Sequence, residues 1–130
     1  MSRFQDLIAA GPGVRLASVA ALGLPEFSGI SFVSKILAFL NPDHYCVLDK
    51  QLLKLAESPG DKSLHRVSAG TQIPITAGNE RAYDGWRAEC ADISERYFRG
   101  RRRVVDVERG FFQLVQDKQV VLAQDLYRAV

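Results

Sequence analysis

GISFVSKILAFLNPDHYCVLDKQLLKLA, residues 29–56, decides the fold class. Its residues Ile30, Val33, Ile36, Leu37 and Leu40 recur at the three-and-four spacing of one helix face, which predicts a helix from Gly29 or Ile30 to Leu40. Asn41-Pro42-Asp43 ends it, since the residue before a proline is driven out of the helical region. Residues 44–48 read as a short extended passage. Asp49 then stands just ahead of Leu52, Leu53 and Leu55, so it is expected to cap a helix running to about Glu57. Such a cap is worth about 1 kcal/mol.

The rest of the chain extends the helical pattern on both sides. Ser2 is placed to cap a first helix carrying Phe4, Leu7 and Ile8, stopped by Gly11-Pro12-Gly13. A second helix covers residues 14–22, and Gly23 with Leu24-Pro25 stops it. Residues 58–79 are the least regular. Within them Thr71-Gln72-Ile73-Pro74-Ile75-Thr76 alternates as an edge strand or a short hairpin near 65–76 would, with Pro74 counting against it. From Asn79, a candidate cap, a long helix is expected to about Phe98, burying Tyr83, Trp86, Cys90, Ile93 and Tyr97. Two more follow over 105–115 and 120–129, with Phe111, Phe112, Leu114, Leu122, Leu126 and Tyr127 as core. The expectation is all-α: a small helical bundle of about seven helices forming a single domain over residues 1–130.

Composition is that of an ordinary globular domain, 47% apolar and 25% charged. A net charge of +2 does not announce nucleic acid, but Arg99, Arg101, Arg102 and Arg103 fall within five positions. Cys46 and Cys90 lack a CxxC pattern and read as buried reduced thiols, which suits a cytoplasmic protein. With His44 and His65 they make no recognised zinc pattern, so no metal is expected. The opening MSRFQDLIAAGPG carries Asp6 and stops at a turn, unlike a signal peptide. No apolar run reaches the roughly 18 residues of a membrane span. His44 and His65 read as surface or packing residues. Asp106 and Glu108 read as the cap and decoration of the 105–115 helix, with Glu108-Arg109 a local ion pair of little weight.

The most distinctive local arrangement is helix, tight turn, helix over residues 14–40, the turn spelled GLPEFSGIS. It reads equally as a packing hairpin or as a phosphate site. In the second case the amides of Gly29, Ile30 and Ser31 point outward together at a helix N-terminus, where dipole and donors favour an anion. Ser31, Ser34 and Lys35 would add contacts. Arg101, Arg102 and Arg103 are either a solvated helix end or a second phosphate-binding patch.

The stretch SVAALGLPEFSGISFVSKILAFLNPDHYCVLDKQLLKLA, residues 18–56, resembles the helix-hairpin-helix DNA glycosylases, which include 8-oxoguanine, thymine-glycol and adenine-mismatch glycosylases. Leu24-Pro25 matches the start of their hairpin and Gly29-Ile30 its end. Val47-Leu48-Asp49 matches the catalytic aspartate segment, with Leu52, Leu53 and Leu55 as the helix behind it. GISFVSKILAFLNP, YCVLDK and VVDVERGFF are similar to a bacterial group of 8-oxoguanine-glycosylase-like proteins. The resemblance implies DNA as partner, a flipped base, and Asp49 as the acid that stabilises the deoxyribose cation or activates water. It implies no cofactor beyond a monovalent cation at the hairpin. The Schiff-base lysine of bifunctional members falls on Ile30 or Ser31, and Lys35 lies a turn further on, so a monofunctional enzyme is implied.

Two departures stand beside the match. Glu26 replaces the first glycine of the hairpin, with one residue more in the turn. The family's helical barrel ahead of the hairpin has no counterpart in the residues before Leu24, which implies a reduced form, a paralogue, or one part of an assembly with a partner chain or a second copy. Three functions stay open: a monofunctional glycosylase acting through Asp49, a non-catalytic DNA-binding module, and a helical protein-interaction subunit.

Overall fold

In a computed structural model of the chain, residues 29–130 are described. The two helices expected before residue 23, and the Leu24-Pro25 turn joining the second to Gly29, lie outside them. Among the described residues there are four α-helices: α1 (Ile30–Leu40), α2 (Ala77–Phe98), α3 (Val104–Gln116) and α4 (Val120–Ala129). Two 3₁₀ turns, Leu52–Ala56 and Ser63–Arg66, occupy the passage between α1 and α2. The chain is therefore all-helical among the described residues. The helix expected behind Asp49 is the first of these 3₁₀ turns, five residues long, so that expectation is corrected in type and length. No β-strand forms near 65–76. One isolated antiparallel bridge joins Gly29 to Pro74, and the proline ring denies the ladder a donor.

The long helix starts earlier than Asn79 suggested. Thr76 is its cap and accepts the Asn79 N–H at 3.1 Å. Asn79 itself is buried, donating to Ser68 O (2.8 Å) and Pro74 O (2.9 Å) while accepting the Ser68 N–H (2.9 Å). One amide thus ties down the irregular segment. The second 3₁₀ turn sits so close to α2 that a Cβ on Gly85 would fall 2.1 Å from Ser63 Oγ, so any larger residue there would force the serine to move.

The core runs from α1 through the passage to all three later helices. Trp86, Phe111 and Tyr127 meet at ring separations of 5.6–5.9 Å with tilted or edge-on geometry. The Tyr127 hydroxyl accepts the Leu64 N–H and donates to Glu89, whose other oxygen accepts the Ser63 N–H. Expected core positions hold for Tyr83, Trp86, Cys90, Ile93, Phe111 and Tyr127. Phe112 and Leu114 are half-buried, whereas Tyr97, Leu122 and Leu126 are exposed. On α4 two apolar stripes compete, and Ala123 with Tyr127 faces the core, where Tyr127 meets Trp86 and Phe111. Both cysteines are buried and unbridged, as expected.

Candidate active site

Residues 45–49 follow the exposed turn at His44 and run largely buried, with neither helix nor partner strand. Buried backbone groups must still be paired, and here side chains do it, drawn from three helices. From α2, Arg87 donates to His44 O (3.0 Å), Tyr83 OH to Cys46 O (2.8 Å) and Trp86 Nε1 to Val47 O (3.0 Å). From α3, Glu108 Oε1 accepts the Val47 N–H at 3.1 Å. From α1, Ser34 Oγ accepts the Leu48 N–H at 3.0 Å. The next residue is Asp49, half-buried, whose Oδ1 accepts the Leu52 N–H at 3.1 Å and so caps the first 3₁₀ turn. Among the described residues its Oδ2 makes no hydrogen bond. The carboxylate is thus fixed through Oδ1.

Glu108 is the residue the sequence reading misplaced. It is 3% exposed, not surface decoration, and it forms no ion pair with Arg109 among the described residues. Burial first, and the negative charge of Asp49 with it, push its carboxyl from the ordinary 4.5 to about 7, while the Val47 N–H, Arg109 and Lys35 pull the other way. Asp49 from the passage and Lys35 from α1 are therefore both electrostatic neighbours of Glu108 on α3. The sequence did carry a signal: Val104, Val105, Glu108, Phe111 and Val115 form the buried stripe of α3, with a carboxylate where an apolar side chain belongs.

The expected DNA-contacting residues of α1 divide. Gly29 and Ser31 are half-buried and Lys35 is exposed. Ile30 is buried and its N–H donates to Ile73 O at 2.9 Å, which removes one of the three amides expected to face an anion. Ser34 is fully buried, so the phosphate contact expected of it is corrected to a clamp on the Asp49 segment. Neither Ile30 nor Ser31 supplies a lysine beside Asp49. His44 is exposed, and His65 is spent on structure: Nδ1 accepts the Lys62 N–H and Nε2 contacts Ser58 O. No group of metal-ligating side chains occurs among the described residues.

Arg99, Arg101, Arg102 and Arg103 lie at the turn between α2 and α3. Arg99 (φ 54°) and Gly100 (φ 74°) take left-handed backbone there. The Ser94 hydroxyl donates to Arg102 O, closing the turn. Arg103 is engaged bidentately by Asp106, at 3.1 Å through both Nε and Nη2, so only Arg101 and Arg102 of the expected trio lack an ion pair among the described residues. Arg102 and Arg103 line an open cleft of about 590 Å³ together with Asp43, His44 and Arg87, at the entry to the clamped segment. No family model, curated protein or solved structure matches the chain. No helix among the described residues is long and apolar enough to cross a membrane.

Proposed function

We propose that the chain is a DNA-binding helical domain in which residues 44–49 present an acid to the nucleic acid. Within that class it is a monofunctional DNA N-glycosylase acting through Asp49. The carrying observation is the clamped segment: five side chains from three helices are spent on fixing a stretch of irregular backbone that ends in a half-buried carboxylate. Irregular backbone held this firmly in an interior favours a positioned functional group over a connection. As the glycosidic bond lengthens, electrons leave with the base and positive charge grows on the deoxyribose. Asp49 stabilises that charge and takes the proton of the water whose oxygen bonds to C1′; the departing base gains a proton from solvent. No lysine stands at the hairpin helix start, so no Schiff base forms. Arg101 and Arg102 supply phosphate contacts.

The test is release of a damaged base, beginning with 8-oxoguanine in duplex DNA. Asp49→Asn keeps an equally good cap and is expected to fold normally while losing about 10²–10⁴-fold in rate. Lys35→Ala keeps the activity, and borohydride traps no adduct. Release that is indifferent to Asp49→Asn overturns the assignment.

A further inference from the structure

We infer that the turn between α2 and α3 is a stacking site for unpaired nucleotides of single-stranded DNA. Two aromatic side chains are left in solvent at the end of α2: Tyr97 is 54% exposed and Phe98 43%. The left-handed turn at Arg99 and Gly100 folds the following arginines back beside them. Together Tyr97, Phe98, Arg99, Arg101 and Arg102 line an open depression of about 470 Å³. The Arg102 guanidinium lies 6.0 Å from the Phe98 ring centre and Arg96 lies 5.4 Å from that of Tyr97. Arg96 is paired with Asp92, but Arg99, Arg101 and Arg102 form no ion pair among the described residues.

Flat rings with unpaired guanidinium groups suit one ligand chemistry, bases alternating with phosphates. A base stacks on every aromatic face whatever its identity, and arginines track the backbone. A duplex hides its base faces, so the exposed rings gain nothing from it. The choice of DNA rests on the glycosylase reading; the stacking geometry does not involve Asp49.

The test is binding of one labelled oligonucleotide of mixed sequence, presented as a single strand and as a duplex. The single strand is expected to bind at least about 10-fold more tightly. Tyr97→Ala with Phe98→Ala should weaken it about 10–100-fold without changing its salt dependence; both side chains are surface-exposed, and circular dichroism checks the fold. Replacing Arg99, Arg101 and Arg102 by alanine should flatten the salt slope by about 2. Asp49→Asn should bind the single strand unchanged, so loss of base release and loss of stacking are separable results. Equal duplex affinity, no binding, or binding indifferent to the aromatic pair overturns the proposal. So does self-association abolished by Tyr97→Ala and Phe98→Ala, which would make the surface a contact between copies.

Discussion

Glu108→Gln is expected to make the protein more stable relative to the unaltered chain as pH rises, by on the order of 2–3 kcal/mol between pH 4.5 and 8. Folding lifts the Glu108 carboxyl from 4.5 to about 7. The folded state then holds the proton more tightly than the unfolded chain, so unfolding releases it across that interval and rising pH favours unfolding. The stability associated with Glu108 is complete below pH 4.5 and is lost through pH 7. Glutamine keeps an oxygen for the Val47 N–H and has no charge to bury. The depressed Asp106 carboxyl acts in the opposite sense, but below its ordinary 3.8, outside this window. Urea midpoints of both proteins at several pH values provide the measurement. A difference that stays flat with pH would show that Glu108 remains ionised and adequately solvated.

Trp86→Ala should cost more than any other substitution considered. The side chain is fully buried, packs on Phe111 and Tyr127, and donates to Val47 O. Emptying that volume costs about 3–5 kcal/mol, and leaving the Val47 carbonyl unpaired adds about 1–3 kcal/mol. That approaches the whole stability of a typical domain. Trp86→Phe separates the two contributions in large part, since it retains most of the packing and loses the donor. Its denaturation midpoint should fall between the other two. If Trp86→Phe is as stable as the unaltered chain, the indole N–H is not needed to hold the Asp49 segment.

Local periodicity made the helices legible where one face was apolar, as along α1 and the buried stripe of α3. It failed where two faces were apolar. In α4, Leu122 with Leu126 and Ala123 with Tyr127 are equally good stripes, and only the space beside Trp86 and Phe111 selects the second pair. It failed again over residues 58–76, whose course follows from Asn79, Glu89 and Tyr127. Those partners are remote in sequence for most of the segment, so no local pattern encodes it. Asp49 was legible as a cap because capping is a short-range matter. The surroundings of that carboxylate were not, because Ser34, Trp86 and Glu108 come from three separate helices. Glu108 lay in plain view on the α3 stripe, misjudged because carboxylates are seldom buried.

Tying a lone irregular segment with side chains in place of neighbouring strands has a consequence for amide hydrogen exchange. A ladder can fray from its end, but the Val47 amide is released only if α3 withdraws Glu108, and the Leu48 amide only if α1 withdraws Ser34. Ser34 is fully buried and Glu108 is 3% exposed, which holds both acceptors in place against small local motions. The two amide protons should therefore exchange together with the slowest protons of the helices, through cooperative opening of the whole core.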